Sequence, residues 1–292
     1  MRDVPSVSIK HLPVNKVSGF IASPSLDILS VEEPLEIRIV YGPAGNRVEK
    51  NISITMRTPG NDLELALGFL FTEGIISSYG NVKAIGHISM PCELQKENII
   101  CVELIEGFMP NLLQSDRNFY TTSSCGVCGK GSIQSIRTVS PYSNSVQQQE
   151  MRLSPDVFYS LPEKLRLAQS NFAATGGIHA SGLFTIEGEL VLLCEDVGRH
   201  NALDKLIGTA LSKNMLPLNQ FILLLSGRAS FELIQKAVMA GISIVAAIGA
   251  PSSLAVELAN EFDITLLGFL RNDRFNIYTI NDQILIPTSH EN

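Results

Sequence analysis

The second half of the chain predicts a layered α/β fold, and three segments carry that prediction. "LVLLCEDVGRHNALDKLIG", "FILLLSGRASFELIQKAVMAG" and "ISIVAAIGAPSSLAVELANEF" each pass from a continuous apolar run, through a polar corner, into a stretch with helical spacing. Strands this uniformly apolar belong to a sheet covered on both faces. The spacing between the repeats is uneven, which marks a topological repeat and not a solenoid.

The elements follow in order. Residues 1–34 show no clear pattern and are expected to form a loose lead-in. "PLEIRIVYG" (34–42) and "NISITMRTPG" (51–60) alternate apolar with other residues across a Gly/Pro/Asn turn, which predicts a β-hairpin. "NDLELALGFLFTEG" predicts a helix opened by a capping box of Asn61 and Glu64. Its apolar face is Leu63, Leu67, Leu70 and Phe71, and it is ended by Gly74. Strands are expected near 82–90 and 98–105, followed by an irregular polar stretch over 114–132.

In the second half, Leu203, Leu206 and Ile207 should face inward from one helix, and Phe231, Ile234 and Val238 from the next. Ser230 is the expected N-cap of the second helix, and Ser252 or Ser253 of the third. "DITLLGFLRNDRFNIYTI" supplies a strand, a turn and a strand. This divides the chain into a smaller N-terminal α+β domain, 1–135, ending in the 114–132 loop, and a C-terminal α/β/α domain, 136–292.

Composition narrows the function. The chain has 292 residues, enough for a sizeable core, and 17% are charged, against roughly 25% in an average soluble domain. Part of the surface is therefore expected to be covered by another subunit or partner. A formal charge of −7 gives no footprint for nucleic acid or an anionic membrane. The N-terminal residues hold no apolar run of the signal-peptide kind, and the longest apolar run, 237–250, is too short to span a bilayer. Five cysteines, an odd number, suit a reducing cytoplasm better than a disulfide framework.

Polar residues gather where strands hand over to helices, in "EDVGRHN", "SGRAS", "GAPSS" and "GFLRNDR". Ligands of α/β sheets collect at such strand ends, where helix amides attract anions. Arg199, His200, Arg228, Arg271 and Arg274, with Ser226, Gly227, Ser230, Ser252 and Ser253, form a candidate site for phosphates or a dinucleotide. The plainer reading is N-caps and surface arginines. There is no Walker A sequence, and no G-x-G-x-x-G follows a strand. "NFAATGGIHASGLF" adds Gly177 and His179, either a ligand-facing turn or a packed histidine.

"SSCGVCGKGS" (123–132) holds Cys125 and Cys128. Dithiol redox chemistry needs the pair at a helix N-terminus after a strand, whereas both flanks here read as loop. Zinc needs two more ligands; Cys92 and Cys101 lack knuckle spacing, and no deaminase motif precedes Cys125, so no metal is expected. Inert cysteines are a further reading. Nucleophilic sulfur chemistry fits the setting: Gly126, Gly129 and Gly131 allow movement, and Lys130 favours a thiolate if it points inward. Such a thiolate can take up sulfur as a persulfide and pass it on by exchange. Cys101 and Cys194 are expected in the core.

Beyond these readings, the chain resembles the formate dehydrogenase accessory protein family, FdhD. The matching segments include "VEEPLEIR" (31–38), "MRTPGNDLELALGFLFTEGII" (56–76), "SSCGVCGKG", "FAATGGIHASGLF", "EDVGRHNALDKLIG", "SGRASFELIQKAVMAGI", "PSSLAVELA" and "TLLGFLR". The resemblance implies a cytoplasmic, homodimeric sulfurtransferase. It would take sulfur from a cysteine desulfurase and deliver it to the molybdenum bis-guanine-dinucleotide cofactor for formate dehydrogenase. Cys125 would be the persulfide carrier and Cys128 a supporting thiol. Thr265, Leu266, Leu267, Gly268, Phe269, Leu270 and Arg271 would border the guanine dinucleotide, for which GDP or GMP would be a partial mimic. The C-terminal domain would be of the cytidine-deaminase type without its zinc motif. The alternative is a cofactor-binding and insertion chaperone whose cysteines carry no sulfur.

Overall fold

Six strands form the central sheet of the computed structural model, which describes residues 6–88, 98–112, 142, 151–280 and 284–285. The strands are β8 (His179–Thr185), β9 (Leu190–Asp196), β10 (Phe221–Leu225), β11 (Ile244–Ala247), β12 (Thr265–Gly268) and β13 (Asn276–Thr279). Their spatial order is β13-β12-β11-β10-β8-β9. The middle three run parallel, whereas β8 is antiparallel to both β10 and β9, and β13 is antiparallel to β12. The sheet is thus mixed.

Side-chain alternation splits the buried residues between two faces. Leu223, Leu225, Val245 and Leu266 face one core, with the helices Arg199–Ser212, Phe231–Met239 and Ser253–Glu261. Ile222, Leu224, Ile244 and Leu267 face the other, with Phe158, Leu161 and Leu165 of the helix Pro155–Ala168. Taking in the N-terminal helix Asp62–Thr72 and the short helix Ser170–Thr175, the helices become α1 (62–72), α2 (155–168), α3 (170–175), α4 (199–212), α5 (231–239) and α6 (253–261). The inward residues expected on α4 and α5 are all buried. Ser252 caps α6 by accepting from the Ala255 amide at 3.3 Å.

The expected N-terminal hairpin is present as β3 (Glu33–Tyr41) and β4 (Val48–Arg57). With β5 (Val82–His87) and β6 (Ile99–Leu104) it makes a four-stranded sheet in the order β4-β3-β6-β5, and the two-residue strands β7 (Met151–Arg152) and β14 (Ile284–Leu285) pair in parallel. Leu35, Ile37, Ile39, Ile100 and Val102 of this sheet join Leu203, Leu206 and Ile207 of α4 in one continuous core, through α1.

Four expectations need correction. Residues 9–30 are not a loose lead-in: β1 (Ile9–Ser18) and β2 (Ile21–Ser30) form an antiparallel hairpin in ten-residue register, closed by Gly19 (φ 60°) and Phe20. Its side chains are mostly exposed, so no core pattern marked it. The capping box at Asn61 is absent, because Asn61 is in the left-handed region (φ 57°), where its side chain caps nothing. Leu63 points outward, and Leu65, Ala66 and Gly68 take inward positions instead. Cys101 is half-buried on the outer side of β6, because Ile100 and Val102 take the core side. Cys194 is buried as expected, and burial lifts its thiol to a pKa of about 11.

Candidate functional site

One edge of the six-stranded sheet brings the polar corners together. Asp196 closes β9 directly opposite His179, which opens the antiparallel β8. Ser226 follows β10, and its amide donates to Ala180 O at 3.0 Å while its Oγ accepts from the Ala180 amide at 2.8 Å. The next corners are laced by backbone: Gly249 N donates to Gly227 O (2.9 Å), Ser252 N to Ala229 O (3.0 Å) and Phe269 N to Gly249 O (3.1 Å). This lacing needs glycine. A Cβ on Gly249 would lie 2.9–3.0 Å from Arg228 atoms, and one on Gly268 would lie 2.9 Å from both Pro251 and Tyr278. The N-termini of α4, α5 and α6 therefore open at the same edge, with their positive dipole ends.

A cleft of about 1870 Å³ opens between this edge and the α2–α3 side. Gly176, Gly177, His179 and Ser226 line it, with Val197, Ile248 and Asn272 from the corners and Arg166, Phe172 and Ala173 from the helices. His179 is half-buried against Gly227. Burial lowers its pKa, the Arg199 guanidinium lowers it further, and Asp196 opposes both. Arg199 keeps its Nε buried with no hydrogen-bond partner among the described residues.

The remaining candidates fall into three places. His200 lies on the α4–α5 side, its Nε2 3.3 Å from Ser230 Oγ and 3.9 Å from Glu232 Oε2. Ser230 holds the N-cap position of α5, but its side chain does not cap. Arg228 is exposed at the edge. Arg271 is exposed too, and its Nη1 donates to Ile248 O and Leu270 O, each at 2.7 Å. Thr265, Leu266, Leu267, Gly268 and Leu270 are buried, so from that segment only Phe269 (φ 52°, exposed) and Arg271 present side chains outward. Ser252 is engaged in its cap, Ser253 is the first residue of α6, and Arg274 accepts from the Arg271 amide through its carbonyl. Cys125, Cys128 and Cys92 lie outside the described residues. Among the described residues no cluster of three or more His, Cys, Asp or Glu could hold a metal ion.

The carboxylates of "EDVGRHN" were not singled out from sequence, yet they carry much of the geometry. Asp196, fully buried, accepts from the Thr58 amide (3.1 Å), the Gly198 amide (2.8 Å), Asn201 Nδ2 (3.1 Å) and Lys205 Nζ (2.7 Å). Lys205 also donates to Thr58 O at 2.8 Å, which ties the corner to the N-terminal sheet. An acid and a lysine nine residues apart give no local signal; only the fold joins them.

His200 yields a pH prediction. Burial, helped by Lys236 and Arg199 and opposed by Glu232 and Glu73, pulls its pKa from 6.5 to about 4. Between those values the unfolded chain binds a proton that the folded protein refuses. Its contribution to stability is therefore complete above about pH 6.5 and is lost as the pH falls towards 4. Urea midpoints measured from pH 7.5 to 4 should fall less steeply for His200→Asn than for wild type; equal slopes would contradict the assignment.

The site is thus that of an α/β protein whose strand ends and helix N-termini gather at one sheet edge, beside a cleft lined by Arg166, His179 and Ser226. The chain belongs to the FdhD/NarQ family, whose profile matches residues 31–285. It is 49% identical over 260 residues to the sulfur carrier protein FdhD of Mycolicibacterium paratuberculosis, covering 88% of this chain and 92% of the relative. It is 42% identical over 278 residues to the protein of that name in Sulfolobus acidocaldarius, covering 95% and 99%. A crystal structure from Desulfotalea psychrophila, of a protein provisionally described as a formate dehydrogenase accessory protein, superposes with a TM-score of 0.67 at 20% identity, covering 95% of this chain and 99% of that one. That likeness is one of fold. No helix among the described residues is long and apolar enough to cross a membrane.

Proposed function

We propose that this protein is a sulfur carrier for formate dehydrogenase. It accepts sulfur from a cysteine desulfurase on Cys125 and delivers it, as a sulfurtransferase, to the molybdenum bis-guanine-dinucleotide cofactor. The observation that carries the reading is the set of relatives, 39–49% identical over most of the chain, that bear the name sulfur carrier protein. The strand edge supports it, because a guanine dinucleotide is a polyanion and this edge, beside the cleft, offers Arg199, Arg228, Arg271 and three helix N-termini. The protein acts in the cytoplasm as a homodimer, with a C-terminal domain of the cytidine-deaminase type.

The sulfur steps balance as exchanges. The Cys125 thiolate attacks the outer sulfur of the desulfurase persulfide; a new S–S bond forms, the donor S–S bond breaks, and the donor thiolate leaves. On delivery the Cys125 persulfide bond breaks. The molybdenum centre of the cargo supplies the electron pair that converts sulfane sulfur to sulfide, and Cys125 returns as thiolate. Cys128 supports the carrier thiol.

Intact-protein and peptide mass spectrometry test this. After incubation with a cysteine desulfurase and cysteine, the wild-type peptide containing Cys125 should gain one sulfur, removable by a reductant. A protein that binds guanine nucleotide but never gains sulfur would be a cofactor chaperone, and the carrier reading would fall.

A further inference from the structure

Glu195 and Asp196 end β9 side by side, and strand alternation sends their carboxylates to opposite faces of the sheet. Asp196 holds the Gly198 corner and α4, as described above. Glu195 turns to the other face and spends its oxygens on backbone. Its Oε2 accepts from the Asn171 amide at 2.9 Å and its Oε1 from the Phe172 amide at 2.9 Å, with Gln169 Nε2 at 3.4 Å. Those amides open α3, the six-residue helix that runs into Gly176, Gly177 and His179 along the cleft.

A helix of six residues does not sustain itself in water, and its first amides have no partners within the helix. Glu195 supplies both the acceptors and a charge of the sign that an N-terminus favours. No ion pair competes for this carboxylate among the described residues. A second tether fixes α3 from behind: the buried Asn171 Oδ1 accepts from Ser30 Oγ at 3.0 Å, and Ser30 Oγ lies 2.9 Å from Thr175 Oγ1. The cleft wall is therefore placed by side chains of β9 and β2, not by its own helical stability.

We propose that Glu195 is a positioning residue for the anionic ligand. Through the Asn171 and Phe172 amides it sets where α3, and with it the Gly176–His179 segment, stands relative to the strand edge. The proposal rests on the reading that a guanine dinucleotide occupies this cleft. Glu195 does not touch the ligand; it acts through α3. Glutamine can keep one accepting oxygen but turns an N–H₂ group towards the second amide, so Glu195→Gln should show a partial defect and Glu195→Ala a larger one.

The test uses the full-length protein with GDP as probe. Calorimetry should show the dissociation constant raised about tenfold in Glu195→Ala and about threefold in Glu195→Gln, less than the lost charge-assisted bonds would cost at a direct contact, because Glu195 acts on the ligand only through α3. Hydrogen exchange should quicken at α3 in both variants, while sulfur loading of Cys125 stays as in wild type. Quicker exchange at α3 with unchanged GDP affinity would overturn the proposal. Parallel loss of affinity and sulfur loading would also overturn it, since that is the mark of a general folding role. If Glu195→Ala does not fold, Glu195→Gln decides by the same criteria. Absence of GDP binding by the wild type would instead remove the reading of the cleft itself, and this proposal with it.

Discussion

Gly208→Ala is expected to lower the unfolding free energy by at least about 3 kcal/mol, a large share of the ~5–15 kcal/mol that holds a typical domain. The cause lies where α1 crosses α4. A Cβ built on Gly208 would fall 1.8 Å from Glu64 O, and one on Gly68 would fall 1.8 Å from Asp204 O. Backbone meets backbone at both points, so no flexible side chain can yield; the helices themselves must part. Two effects compete. Alanine in place of a mid-helix glycine gains about 1 kcal/mol in helix propensity, but parting the helices strips contacts from the continuous core that Leu65, Leu203 and Ile207 share. The steric cost is the larger, which fixes the sign. Gly86→Ala on β5 is the control, since nothing lies within 4 Å of its Cβ, and its urea midpoint should stay near that of wild type. A Gly208→Ala protein as stable as wild type would refute the crossing.

This crossing also shows where sequence stops being informative. Gly68 and Gly208 read singly as weak points in two helices, and only the pairing of positions far apart in the chain explains them. The strand-to-helix corners were legible because strand, glycine and cap lie within a few residues of one another, and "SGRAS" and "GAPSS" do meet at one edge. The wall opposite was harder to read. Ser154 and Pro155 mark the start of α2, and Ser154 Oγ does accept from the Asp156 amide, yet Pro162 interrupts its helical period. The helix α3 has no start signal of its own, because its cap is Glu195, distant in sequence. Exposure hid the β1–β2 hairpin: with Phe20, Ile21 and Leu26 facing outward, its alternation marks no core, although Gly19 stands where a two-residue turn needs it. Cys101 misled for a related reason. An apolar run in a strand covered on one side leaves alternate residues half-exposed, and Cys101 falls on that side.

Cys125→Ala is expected to abolish sulfur delivery while leaving GDP affinity within about twofold of wild type, and Arg228→Ala to do the reverse. The two functions use different chemistry. Carrying sulfane sulfur needs a thiolate, which no other side chain replaces, so loss of Cys125 leaves no partial activity unless Cys128 accepts sulfur in its place. Holding a diphosphate needs charge and hydrogen bonds. Arg228 is exposed beside Gly249 at the strand edge, free to reach a ligand, so its loss should cost about 1.5–3 kcal/mol, or roughly ten- to a hundredfold in affinity. Arg271 is the comparison. Its Nη1 already donates to Ile248 O and Leu270 O, so Arg271→Ala should disturb the corner as well as the charge and lower the unfolding midpoint. Arg228→Ala should leave that midpoint unchanged. Measuring persulfide on the Cys125 peptide and GDP affinity in parallel separates the assignments. A Cys125→Ala protein that still loads sulfur, on Cys128, would move the carrier role to the second thiol. An Arg228→Ala protein that binds GDP as wild type does would place the anion on the α4 side of the edge, at Arg199.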